Sequence, residues 1–487
     1  MQVITPSGEL ITGTTFSPDG NYLYFVRHFR GYVVPALGGT ARQIIPETFG
    51  EIGVSPDGAK LAYTHGGDAP KSQLLVVNRD GTGEHVIGEH PLGSGMRFNS
   101  PDAPSWSPDG KLIAMPAIRK TGYVLNIYPA EGGRPNTIPL PGVVSQVLWL
   151  PDQSGLLVRS ATSFTSSDQI WLQPFPNGTL QRLTNDLNGY SHLSLSADGK
   201  LLAAVQRLNT FTTYVSPASK PEQGTVVTTG RSDGIGLGWT PDGNLLSQNV
   251  DSEFFVLMPD GKQRTSLFKD EVFEGAFSVC RDGRYIVFER TGLGEEQNTI
   301  WRADATGNNL KRLTDGLEDW APVCSPDGQS VTYLSGPGYR PRRISIDGGA
   351  SIALFDNEVF GTAYSPDGRE IADIEDKGDR AVLMVRESQS GRPLKSFELP
   401  VGFEPPDNSP GWLVRWRPDG RTITYALWSG DGTPVNLWSQ SVSGGTPRQI
   451  TNFSDAIVAY DWSLDGKRLA LTRQTSSRDV VLISNFR

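Results

Sequence analysis

Cysteine is nearly missing from this chain. Only Cys280 and Cys324 occur in 487 residues, too few for a fold stapled by a disulfide framework. Long apolar runs are missing as well. No stretch of about 18 apolar residues occurs, so no helical membrane span is expected. Residues 1–10 carry neither a basic start nor an apolar core and do not read as an export signal. Basic charge is in deficit, with 44 Lys and Arg against 53 Asp and Glu, a net charge of -9. Nucleic acid is therefore not an expected partner, because phosphate binding needs a basic footprint. Arg340, Arg342 and Arg343 form the one tight basic cluster and are expected in a solvated loop.

Chemical motifs are missing too. There is no His-Glu-x-x-His, no Cys-x-x-Cys and no phosphate loop ending in Gly-Lys-Ser/Thr. The five histidines, His28, His65, His85, His90 and His192, have no metal-ligand spacing. No catalytic residue, metal or cofactor is expected from these patterns.

What is abundant is the turn former: 55 Gly and 35 Pro. They are organised by a repeat. Phe16-Ser-Pro-Asp-Gly20 recurs at Val54–Gly58 and Trp106–Gly110, and less closely at Leu150–Gly155 and Leu195–Gly199. It returns at Trp239–Gly243, Cys280–Gly283, Cys324–Gly328, Tyr364–Gly368, Trp416–Gly420 and Trp462–Gly466. Successive Asp residues lie 38 to 52 residues apart, close to a propeller-blade period. Pro presets φ for the turn, Asp bonds its backbone, and Gly accepts the left-handed conformation. An alternating strand follows each copy, then a third strand, a second Gly-containing turn, and a short fourth strand ending in pairs such as Leu183-Thr184, Leu313-Thr314 and Ile450-Thr451.

Four short strands per unit without helical periodicity imply an all-β fold, a β-propeller of four-stranded blades in about eleven repeats. Closed propellers hold four to eight blades, so two tandem propellers are expected. They would span residues 1–230, with about five blades, and 231–487, with about six. Gln2–Thr5 and Gly224–Gly230 are candidates to close the two rings. The apolar residue before each turn, Phe16 and Trp106 among them, is expected to pack between blades. Cys280 and Cys324 are assigned to that slot in adjacent units. Equivalent positions in neighbouring blades should lie beyond disulfide reach, so both are expected as buried free thiols.

The Trp-Ser-Pro-Asp-Gly-Lys motif followed by an apolar strand, as in Trp106–Ala114 and Ala321–Tyr333, resembles the WD40-like repeat of TolB-type propellers. The ending Asp479–Arg487 and the segments Gln181–Tyr190 and Ile300–Asp304 are similar to the C-terminal propeller region of bacterial membrane-anchored Ser/Thr kinases and winged-helix regulators. That resemblance implies a ligand- or protein-sensing module, periplasmic or extracytoplasmic if it belongs to such a sensor.

Function is then expected on loops that break the repeat. The candidates are His90, Arg97 and Asp102 in the insert 88–104, then Tyr190 and His192, Asp319 and Trp320, Tyr339 and Arg340, and Trp412 in the insert 400–412. A protein, small-molecule or oligosaccharide ligand fits such residues. The alternative is a propeller enzyme, a carbohydrate-active hydrolase or lyase, with carboxylates converging on the central channel.

Overall fold

Each copy of the turn closes on its own side chains. In the first, the Ser17 hydroxyl donates to Asp19 Oδ1 at 2.5 Å, the Asn21 amide donates to the same oxygen at 3.1 Å, and the Tyr22 amide donates to Ser17 Oγ at 2.9 Å. Ser55–Asp57, Ser107–Asp109, Ser196–Asp198, Ser325–Asp327, Ser365–Asp367 and Ser463–Asp465 repeat the hydroxyl bond. Donation by Ser17 and then Asn21 holds the Asp19 carboxyl down at about 2, since such bonds favour its charged form. Gly20 follows at φ 71°, where a Cβ is strained. The threonines of the fourth strands act similarly: Thr184, Thr314 and Thr451 Oγ1 accept the amides of Ile170, Ile300 and Leu437 at 2.9, 3.0 and 2.9 Å.

The computed structural model describes residues 11–486 apart from 49, 66–70, 92–103, 120–121, 162–167, 187, 232, 250–251, 270–275, 291–297, 317, 337, 378–379, 401–413 and 428–434. Among the described residues there are strands and turns but no helix, hence no helix able to cross a membrane. The strands form antiparallel sheets, nearly all of four strands in sequence order, and the fold is an all-β propeller type.

The chain divides into two compact units, Met1–Leu208 with Leu293–Glu296 and Arg478–Arg487, and Asn209–Gly292 with Gln297–Ser477. The first holds four sheets, within residues 11–45, 53–91, 105–139 and 143–182. Strand Gly189–Leu195 and the first part of Leu201–Pro217 begin a fifth, against whose core Val481, Ile483 and Phe486 pack. The second unit holds five sheets, within residues 233–269, 277–312, 319–353, 362–398 and 414–449. Its sixth combines Ala456–Trp462, the first part of Arg468–Ser484, the rest of Leu201–Pro217, and Thr225–Gly230. The Thr213 and Thr472 hydroxyls meet there at 2.9 Å.

First strands of successive sheets are neighbours, and the slot residue is what joins them. Trp106 Nε1 donates to Gly53 O at 3.2 Å, Trp149 Nε1 to Ser105 O at 3.0 Å, and Trp462 Nε1 to Thr424 Oγ1 at 2.9 Å. In each case the ring reaches back to the preceding sheet. Within the second unit, Trp239 of the first sheet reaches Asp461 of the last: its backbone amide donates to Asp461 Oδ2 and its Nε1 to Asp461 O, both at 3.0 Å. Phe16 departs from expectation. It lies in the first sheet, has no polar atom to reach back with, and is 61% exposed.

The cysteines require a correction. Cys280 and Cys324 form a disulfide, with Cα atoms 5.3 Å apart, and are not free thiols. The reason is register. The Cys280 amide donates to Tyr285 O and its carbonyl accepts from Gly283 N, the bonds that Ser17 makes to Tyr22 and Gly20. Cys280 therefore stands in the Ser position, one residue beyond the slot, while Cys324 occupies the slot of the following sheet. The two positions are not equivalent. The slot residue reaches back to the preceding sheet here too, this time through a covalent bond. The arginine cluster also differs from expectation: Arg340, Arg342 and Arg343 lie in strand Arg340–Ser345 rather than a loop, with Arg342 Nε on Ser351 Oγ at 3.1 Å and Arg343 Nη1 on Ser388 O at 3.4 Å.

Closing a loop of 44 residues restricts the unfolded chain by about 4 kcal/mol at most, and native disulfides typically contribute about 2–4 kcal/mol. Replacing both residues, Cys280→Ala with Cys324→Ala, is expected to lower unfolding stability by that amount in urea titration. The unreduced native protein should take up no thiol-alkylating reagent. Alkylation of both residues without reductant contradicts the pairing.

Candidate ligand site at the strand ends

The first strands begin with bulges. Register shifts occur at Val144/Gln146, Ser191/Ser194, Asp233/Gly236, Trp320/Val323 and Ile457/Ala459. A bulge leaves one residue out of the ladder and re-aims its side chain. At two of them that region holds a left-handed residue that is not glycine: His192 at φ 52° and Ala321 at φ 51°. Such backbone costs of order 1–3 kcal/mol and is kept only where its surroundings impose it.

In the first unit the surroundings are polar. Gln146 imposes the bulge: its Oε1 accepts the Leu193 amide at 2.7 Å and its Nε2 donates to Leu193 O at 3.1 Å. Arg159, near the end of strand Gly155–Ala161, pairs with Asp168, the residue before strand Gln169–Pro174. It also donates to Ser145 O at 2.9 Å and Tyr190 O at 3.3 Å. Burial pushes the Asp168 carboxyl above its usual range, with the Arg159 charge opposing that shift. Tyr190 is buried, and its hydroxyl donates to Asp186 Oδ2 at 2.8 Å and accepts from Gln206 Nε2 at 3.1 Å. Its role is packing and support. His192 sits beside it on the bulge with its side chain exposed, and partial desolvation and then Arg159, Arg478 and Arg207 hold its ring toward the neutral form.

The second unit repeats this frame with other side chains. Glu289 pairs in register with Ile300 as Arg159 does with Ile170. The Asp319 amide donates to Asn298 O as the Tyr190 amide does to Asp168 O, each at 3.0 Å. Asp319, Glu289 and Asn298 thus replace Tyr190, Arg159 and Asp168. Both carboxylates are buried and engaged: Glu289 Oε2 accepts the Ala321 amide at 3.3 Å, and Asp319 Oδ1 accepts the Ser335 hydroxyl at 2.7 Å. Burial raises the Asp319 carboxyl, while Thr314 and Ser335 oppose it. Trp320 and Tyr339 meet edge to face, ring centroids 6.3 Å apart, over Ala276, Ala321, Leu334 and Val359. Arg340 is exposed beside them and pairs in register with Ser335.

The structure therefore brings Tyr190 together with His192, and Asp319 together with Trp320, Tyr339 and Arg340. Arg97, Asp102 and Trp412 lie outside the described residues, as does the side chain of His90. Sequence reasoning missed Arg159, Asp168, Arg207, Arg478 and Glu289. All but Asp168 occupy strand positions and look like solvated-face charges. The signal present was a charge inside an otherwise apolar strand, as in Leu201-Leu-Ala-Ala-Val-Gln-Arg207. Among the described residues no group of three or more His, Cys, Asp or Glu is placed to hold a metal ion.

No family model matches the chain. Over 295 residues it is 23% identical to an uncharacterized protein of Agrobacterium fabrum, covering 56% of this chain and 83% of that one. Over 506 aligned positions it is 22% identical to tricorn protease homolog 1 of Streptomyces coelicolor, covering 93% of this chain and 44% of that one. The chain thus spans less than half the length of the second relative. Among solved structures, a putative TolB from Agrobacterium tumefaciens aligns at TM-score 0.46 and 18% identity, over 55% of this chain and 99% of that one. An oligogalacturonate lyase in complex with manganese aligns at 0.33 and 13%, over 70% and 90%.

Removing Arg159 leaves the Asp168 carboxylate confined without its partner. Arg159→Leu is expected to destabilise the protein by about 3 kcal/mol, and Arg159→Leu with Asp168→Leu by clearly less. A double-mutant cycle in urea measures this; additive losses contradict the coupling.

Proposed function

We propose that the chain is a non-catalytic binding module, two tandem propellers of about five and six blades that present bulged strand ends to a ligand. In a bacterial signalling system it serves as the sensing part, and it carries out no turnover of its own. The observation that carries this reading is the bulge at His192. A strained, repeat-breaking residue is held by Gln146 next to charged side chains, and strain of this kind collects at ligand-holding positions. The buried carboxylates Glu289 and Asp319, which an enzyme reading would use, already accept the Ala321 amide and the Ser335 hydroxyl. That favours a structural role over acid–base work. The disulfide between Cys280 and Cys324 supports an oxidising, extracytoplasmic setting.

A ligand that binds only the folded chain raises its melting temperature by mass action. Thermal-shift titration with oligosaccharides, peptides and peptidoglycan fragments is expected to give at least one saturable rise. The rise should be lost in His192→Ala or Trp320→Ala, and the ligand should be recovered unchanged after long incubation. Consumption of the ligand contradicts the binding reading and favours the hydrolase or lyase.

A further inference from the structure

Three guanidinium groups approach one another in the first unit. Arg159 is engaged by Asp168, Ser145 O and Tyr190 O. Arg207 is not engaged. It stands in strand Leu201–Pro217 opposite Gly189, partly buried, and its guanidinium has no hydrogen bond or ion pair among the described residues. Arg478, in strand Arg468–Ser484, is exposed and equally without a partner. Strand Leu201–Pro217 lies between Gly189–Leu195 and Arg468–Ser484 in one sheet, which sets Arg207 between the strand of His192 and the strand of Arg478, and both arginine charges act on His192. Among the described residues, the carboxylate acting on Arg207 is that of Asp168, already paired with Arg159. Asp186, also at this end, accepts the Tyr190 hydroxyl.

Partly burying a charge such as that of Arg207 without a paired counter-charge is unfavourable. Here four elements of one unit converge to do it: the end of Gly155–Ala161, the bulge of Gly189–Leu195, the strand bearing Arg207, and the chain end bearing Arg478. A guanidinium fork matches the two oxygens of a carboxylate, phosphate or sulfate, and its hydrogen bonds to such groups are the strong, charge-assisted kind.

We propose that Arg207 and Arg478, flanked by His192, form an oxyanion-binding site that takes the carboxylate, phosphate or sulfate group of the ligand. This rests on the binding reading above and gives it a ligand class: acidic rather than neutral. Partial desolvation and the three arginines disfavour the His192 imidazolium. A bound anion favours it, so anion binding and His192 protonation reinforce each other by linkage. Among the described residues, Asp168, Asp186 and Tyr190 are further titratable groups at this end, and Asp479 follows Arg478 in its strand.

The test is calorimetric titration of the full chain with inorganic phosphate, inorganic sulfate, glucuronate and an acidic oligosaccharide, with glucose as the neutral control. At least one oxyanion should bind saturably and weaken in high salt. Arg207→Gln and Arg478→Gln should each weaken it by about tenfold or more, the range of one charged hydrogen bond, while melting temperature in the absence of ligand changes little. Binding should tighten from about pH 7.5 to about pH 5.5, and the anion should raise the His192 titration midpoint followed by NMR of its ring. Tighter binding of the oligosaccharide than of the free ions supports the site and identifies the source as a polymer; equal binding supports the site and identifies a free anion. No oxyanion binding, or binding unchanged in the double variant, overturns the proposal. If a neutral ligand then binds and is lost in His192→Ala, the binding reading stands without this one.

Discussion

One contact recurs at several junctions between successive sheets of this protein: a residue at the end of a first strand reaches back to the sheet before it. Trp106, Trp149 and Trp462 do so through the indole N–H, and Trp239 does so to Asp461. The ring fills the wedge between two sheets, and its single donor finds an acceptor on the neighbouring strand. That satisfies the buried polar atom and sets the spacing. Cys324 makes the same reach through sulfur. In an array where each unit touches only its neighbours, stability is largely a sum of such interfaces, so the slot carries much of the architecture.

The turns make the contact reproducible. Each Ser-Pro-Asp-Gly segment is closed by its own hydroxyl and carboxylate, and needs no help from tertiary structure. The glycine of one turn also rests near the proline of the turn before it; a Cβ added to Gly58 would meet Pro18 Cδ at 3.4 Å. Local closure and neighbour packing thus agree at each repeat, and agreement between levels is what directs a sequence to one fold.

Chemistry is laid over this frame at the opposite ends of the first strands. Arg159, Asp168 and Tyr190 in one unit and Glu289, Asn298 and Asp319 in the other occupy corresponding positions in the ladder. The same bulge is held by Gln146 in one case and by Glu289 in the other. The backbone accepts the exchange because either side chain offers an oxygen to an amide of the bulge. Charge at these ends is therefore free to vary, and it differs in sign between the two units.

The sequence by itself determined the turn, its repetition, the strand alternation and hence the all-β propeller fold, because each of these is local: a residue within five positions supplies every partner. It also marked His192, Asp319 and Trp320 as breaks in the pattern. Tertiary structure alone decided which residues meet. The cysteine pairing differs from expectation because Val279, not Cys280, is the slot residue of that copy, and the backbone ladder makes plain that Cys280 sits at the Ser position. Arg207 and Arg478 are far apart in sequence and each looks like an ordinary exposed charge. They become neighbours because the last strand of the chain lies against a strand formed hundreds of residues earlier, and nothing in the spacing of residues encodes that return.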